Sequence, residues 1–348
     1  MRTILQKKHL HMQEVSKFCT LNKISSMNFR HLIYIIVLFS TYRTVGQQID
    51  PYSLVLFTPF QYNPAFAGLE EKISLQCSFR DQWLKVPGNP SSRYFLADAP
   101  IPALGSGVGI KIQEDQFGAS KQLSVGLNWS FSKSINKNSL IAIGLGINNV
   151  RYRLNGSVLR TPGGNYSSTS IDHQDNLLSN GEIALSGVSY EGGVYLKTNF
   201  FEAGISGANL LPTALNGENF GITLLPHYTF SSRAFLPVNT QLIIQPGILL
   251  RVVSGLLQLD SYVLGNFKEK FTLGAGLRGY SPNTLDGLMV LAGIQVAENI
   301  SFNYTYTIPL SAIRTATSGS HELMIRYTIN QKLGKGILPP IIYNPRNL

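Results

Sequence analysis

Leu123-Ser124-Val125-Gly126-Leu127-Asn128-Trp129-Ser130-Phe131 alternates without a break, apolar at every odd position and small or polar at every even one. Successive side chains of a strand point to opposite faces, so residues 123–131 read as one strand with an oily face and a small polar face. The pattern recurs. Ile73, Leu75, Cys77 and Phe79 alternate with Ser74, Gln76 and Ser78, and Phe271, Leu273, Ala275 and Leu277 alternate with Thr272, Gly274 and Gly276. Residues 288–296 and 300–306 do the same. Fourteen such segments fit between residues 72 and 330. An even count returns both chain ends to one side of a closed barrel. The expected fold is all-β, a transmembrane antiparallel β-barrel of about 14 strands.

Composition points the same way. Only 14% of the 348 residues are charged, against about 25% in an ordinary soluble domain. A soluble β-sandwich also alternates, but it sets charges on its wet face. Here that face is mostly Gly, Ser, Thr, Asn and Gln, which suits a barrel with lipid outside and a polar interior. The formal net charge of +10 is concentrated in residues 1–46, which hold seven Lys/Arg and one acid. The remainder carries 22 bases and 18 acids, too even a balance for a nucleic-acid footprint.

Residues 32–39 (LIYIIVLF) follow Arg30 and His31. The run is shorter than the roughly 17–25 residues of a spanning helix and has the length of a signal-peptide core. Thr44-Val45-Gly46 offers small residues for cleavage, placing the mature start near Gln47. Either the leader is extended or translation begins at Met27, which opens an ordinary signal peptide; the second reading is preferred. The expected organisation is a leader over 1–46, a segment rich in aromatics and prolines over 47–71, the barrel over 72–331 and a Pro-rich periplasmic tail over 332–348. Cleavage would separate Cys19 from Cys77, leaving no intrachain disulfide. Residues 153–180 and 211–221 read as loops, the first long enough to stand outside the cell.

Motifs that suggest chemistry do not survive their context. Gly274, Gly276 and Gly279 match a dinucleotide fingerprint but lie in a strand with no helix after them. Ser320, His321 and Glu322 are neighbours on a strand and point to alternate faces, so they cannot converge as a triad. His173 between Asp172 and Asp175, like His227, reads as ordinary surface or interfacial histidine. No catalytic residue, cofactor or metal site is expected.

Three short motifs carry a resemblance. Tyr62-Asn63-Pro64-Ala65-Phe66-Ala67-Gly68 stands just before the first strand, Arg80-Asp81-Gln82-Trp83 just after it, and Gly319-Ser320-His321-Glu322 opens the last. In that order and spacing, the chain resembles the PorP/SprF family of type IX secretion system outer-membrane proteins of the Bacteroidetes. The resemblance spans residues 47–330, and the leader before Met27 departs from it. It implies an integral outer-membrane protein that supports export or surface display of specific cargo, gliding adhesins included, through other secretion components on the periplasmic side. It implies no catalytic residues.

The signature residues Asn63, Pro64, Gly68, Arg80, Gln82, Trp83, Gly319, His321 and Glu322 are candidate structural or partner-contact positions. Asn63-Pro64 and Gly68 would fix the chain's entry into the first strand. Trp83 would suit an aromatic girdle, and Arg80 the lumen or a headgroup. Phe57, Phe60, Tyr62 and Phe66 give the periplasmic segment the aromatic area of an interface anchor; a plug folded into the lumen is the alternative. The competing function is a porin or solute channel. Small uncharged residues on the lumen side, such as Gly144, Gly146, Ser206 and Gly274, weigh against selective ion transport.

Overall fold

The computed structural model describes residues 52–331 and 333, apart from 168–169, 176–177, 212, 217–220 and 282–283. The leader over 1–46, Met27, the start near Gln47 and the tail beyond Leu333 lie outside the described residues.

Fourteen antiparallel strands close into a barrel. They are β1 (Ile73–Asp81), β2 (Ser91–Ile101), β3 (Ser106–Phe117), β4 (Ser120–Asn136), β5 (Ser139–Asn155), β6 (Glu182–Thr198) and β7 (Phe201–Ala208). After them come β8 (His227–Ala234), β9 (Leu242–Val253), β10 (Leu256–Phe267), β11 (Phe271–Arg278), β12 (Gly287–Ala297), β13 (Ile300–Pro309) and β14 (Ser320–Ile329). Each strand pairs with the next, and β14 returns to β1 with Ile73 opposite Ile329 and Arg80 opposite Glu322. This is the architecture expected from alternation.

Faces follow the pattern of β4. Val125, Leu127, Trp129 and Phe131 are 40–59% exposed, whereas Gly126, Asn128 and Ser130 are buried in the lumen. The odd row therefore faces lipid. The connections at the end where β1 begins and β14 finishes are short: 102–105, 137–138, 199–200, 235–241, 268–270 and 298–299. The opposite end carries the long ones, 82–90, 156–181, 209–226, 279–286 and 310–319. Outer-membrane barrels turn tightly in the periplasm and loop widely outside, which orients the molecule.

The loop expected over 153–180 occupies 156–181, because β5 continues to Asn155; β5 and β6 are each 17 residues long. About 9–11 residues suffice to cross a bilayer, so these strands extend past it at the cell-surface end. The second is not a plain loop. Thr213–Asn216 pairs with Gly221–Leu224 as a hairpin whose strands are too short for alternation to announce them.

A barrel of this size encloses more space than inward side chains of its own strands fill. Residues 52–69 fill it. Three 3-10 turns, Leu54–Phe57, Pro59–Gln61 and Pro64–Phe66, pack against inward residues of the wall. One buried cluster joins Leu54, Val55, Leu56 and Phe57 to Leu249, Leu264, Leu291 and Met324; a second joins Phe60, Phe66 and Leu69 to Leu96, Leu140 and Tyr195. The hydrophobic core of the protein thus lies inside the barrel. The expectation of an aromatic segment standing free in the periplasm is corrected here: Phe57, Phe60 and Phe66 are at most 6% exposed, and Tyr62 packs against the first cluster. So much apolar surface is more stable against the lumen wall than in water.

Candidate functional site

The segment descends the lumen from the cell-surface end to the periplasmic end, and its grip can be followed residue by residue. At the top, the Glu322 carboxylate accepts the backbone N–H groups of Ser53, at 3.0 and 2.8 Å, and of Leu54, at 2.8 Å. Arg80 Nε stands 3.3 Å from the same carboxylate, and Arg80 also donates to Gln82. Arg80 and Glu322 are each 1% exposed. Their cross-strand pairing places this ion pair on the seam that closes the barrel. Arg278 donates to Ser53 Oγ at 2.7 Å and lies 3.2 Å from Asp260, which also pairs with Arg251. Two carboxylates and three guanidiniums thus interleave around the start of the segment, each guanidinium beside a carboxylate as buried charges require.

Lower down, Arg233 donates to the Leu56 carbonyl and pairs with Glu202. Thr58 donates to Gln76 Oε1 at 2.7 Å. Lys111 bonds Glu191 at 2.9 Å while its ammonium lies 5.0 Å from the centre of the Phe60 ring. Such a cation–π contact strengthens where water is excluded. Asn63 caps the third turn, its Oδ1 accepting from Ala65 N–H at 3.0 Å, and its Nδ2 donates to the Val194 and Ile205 carbonyls of β6 and β7. Ser206 donates to the Tyr62 carbonyl at 2.6 Å, and Ser130 to Ala67 at 2.7 Å. At the bottom, Asp98 accepts from Gly68 N–H at 2.9 Å, Lys197 reaches the Leu69 carbonyl and Glu70 pairs with Arg326.

The small lumen residues now have a reason. A Cβ on Gly144 would stand 2.2 Å from Ala65 N, one on Gly107 2.2 Å from the Ala67 carbonyl, and one on Gly193 2.2 Å from Asn63 Oδ1. Gly107 and Gly144 admit the segment's backbone, and Gly193 admits the Asn63 side chain. Gly68 turns out of the lumen at φ +70°, a conformation that favours glycine, and its Cβ would meet the Ala99 carbonyl at 2.8 Å.

Six of the nine signature residues fall into two groups. Asn63, Pro64 and Gly68 shape the lower segment; Arg80, Gln82 and Glu322 clasp its upper end. Trp83 sits in the 82–90 connection at φ 52°, its N–H given to Ser320 Oγ at 3.2 Å, rather than on the lipid face of a strand. Gly319 accepts from Leu84 N–H at 3.0 Å, tying that connection to the start of β14. His321 faces outward and contacts the Tyr304 hydroxyl and the Tyr306 ring, whereas Glu322 faces inward. His173 is buried against Tyr166 in the long loop, and Asp172 accepts from Gln174 N–H. Among the described residues no group of three or more His, Cys, Asp or Glu could hold a metal ion.

The expectation of an uncharged lumen is corrected by Lys111, Arg233, Arg251, Asp260 and Arg278. Each stands at the inward phase of a strand, and that phase was the signal available in the sequence.

A family model described as type IX secretion system membrane protein PorP/SprF matches residues 44–327. The chain belongs to the PorP/SprF family. The match includes the lumen segment, the seam and all three motifs. This PorP/SprF protein is accordingly a membrane protein of type IX secretion with an outer-membrane β-barrel fold. No curated protein sequence matches it. Among solved structures it is similar to a Pseudomonas aeruginosa FadL homologue, at 12% identity and TM-score 0.45, over 77% of this chain and 92% of that one. It is also similar to the Ralstonia pickettii toluene transporter TbuX, at 11% identity and TM-score 0.45, over 82% and 95%.

Proposed function

We propose that this protein supports export or surface display of specific cargo, gliding adhesins among them, by binding other type IX components on its periplasmic side and the cargo itself. It does so without catalysing a reaction or conducting small solutes, in a Bacteroidetes outer membrane reached after signal-peptide cleavage near Gln47. The observation that carries the reading is the filled lumen. A segment bonded to the wall from Ser53 to Glu70 occupies space that a porin would keep open, which supports this reading over a solute channel. Partner recognition then falls to the rims. In the tight periplasmic turns Leu104, Phe200 and Val238 are 62–71% exposed. Apolar tips on short turns suit protein contacts there.

The test is a photo-crosslinking residue at Phe200 or Val238 in growing cells. Adducts with periplasmic secretion components, and loss of surface cargo when the protein is deleted, are expected. Adducts with lipid alone, or unchanged surface cargo in the deletion strain, reject the reading.

A further inference from the structure

On the outer face of β5 the apolar row Ile141, Ile143, Leu145 and Ile147 stops abruptly, and Asn149, Arg151 and Arg153 follow, towards the cell surface. Arg151 lies opposite Leu123 of β4 and Ser186 of β6. Arg153 lies opposite Lys121 and Ala184. Two like charges directly opposite each other on a sheet repel, so the Lys121–Arg153 pair opposes strand pairing. Glu114 bonds Lys121 at 2.8 Å and Glu182 stands 3.6 Å from Arg153, in ion pairs that are 38–53% exposed and therefore weak. Arg151, two residues along the same face, has neither a hydrogen bond nor an ion pair among the described residues. Beside the two arginines, Ala184 and Ser186 are small and exposed, leaving open space over β6.

Depth selects the partner. Val125 and Val188, 42% and 44% exposed, flank Asn149 and form the last row that is apolar on both sides of β5; in the next row Arg151 lies between Leu123 and Ser186. Arg151 stands one row beyond it, about 7 Å further along the strands, where headgroups replace acyl chains. Guanidiniums bind phosphate through paired, charge-assisted hydrogen bonds. We propose that Lys121, Arg151 and Arg153 form a site for the phosphate of an outer-leaflet lipid, whose acyl chains lie on the Leu127, Leu145 and Ile147 surface.

The test is native mass spectrometry of the purified full-length barrel in micelles doped with dioleoyl phosphatidic acid or, as the phosphate-free control, dioleoylglycerol. Wild type is expected to retain phosphatidic acid and not dioleoylglycerol, and the R151Q/R153Q variant to retain about tenfold less or lower, as a loss of about 1.4 kcal/mol or more implies. Heat-modifiable gel migration reports that each variant is a folded barrel. Lys133→Gln, at the opposite rim, is expected to leave retention unchanged. Equal retention by R151Q/R153Q, or an equal fall in K133Q, overturns the site. Displacement of the lipid by an equal concentration of inorganic phosphate overturns the lipid assignment in favour of a free anion.

Discussion

Glu322 bears more of this structure than any neighbour in its strand. It answers Arg80 across the closing seam and receives two backbone N–H groups of the lumen segment. Glu322→Gln keeps the shape and removes the charge, leaving Arg80 buried without its counter-ion. Breaking a buried pair from one side costs about 3–5 kcal/mol, so the denaturant midpoint of the purified barrel should fall accordingly. Replacing both partners, as R80M/E322M, should recover only part of the loss, because Ser53 and Leu54 then lack their acceptor. A double variant as stable as wild type would show that Glu322 does not hold the segment. In the sequence Glu322 appeared beside His321 and Ser320, where proximity along the chain suggested chemistry. The strand period separates them, and the barrel's closure supplies the partner.

At the level of the strand, β4 shows how two faces with the same alternation differ in tolerance. Leu127 is 59% exposed and faces lipid; Arg there should cost about 2–4 kcal/mol near the midplane, measured by equilibrium unfolding in vesicles. Alternation alone makes Asn128→Arg the mild control, since its face is polar. The structure reverses that expectation. Asn128 is 4% exposed, and its Oδ1 would lie 2.5 Å from a Cβ on Gly146, so the larger side chain has no room. Both substitutions are expected to destabilise, the first by exposing charge to hydrocarbon and the second by overpacking. An Asn128→Arg barrel as stable as wild type would mean that the lumen is open at that level.

The described residues form a closed wall around the chain's own segment 52–69. Truncating Phe57, Phe60 and Phe66 to Ala removes three buried rings from the two lumen clusters. Each such truncation costs about 3–5 kcal/mol of packing, while the strand ladder of the wall is untouched. The expected outcome is a barrel that still migrates as folded but admits small hydrophilic solutes in a liposome-swelling assay that wild type blocks. Swelling identical to wild type would show that aromatic packing is not what seals the lumen.

By itself, the sequence determined the barrel: about fourteen strands and the lipid row follow from a period of two, because one strand's faces meet lipid and lumen wherever it is placed. The resemblance carried by residues 62–68, 80–83 and 319–322 reached the family for a similar reason, since those motifs are local. The use of residues 52–69 was decided only in three dimensions. Their lack of alternation marks them as something other than strand, yet is equally consistent with a free docking arm and a plug. The choice depends on the width enclosed by the wall, on glycines such as Gly107, Gly144 and Gly193 that come from distant strands, and on charges from β3 to β14 that meet only once the last strand pairs with the first. Each of those quantities depends on closure, and closure couples positions more than two hundred residues apart, beyond the reach of any local pattern.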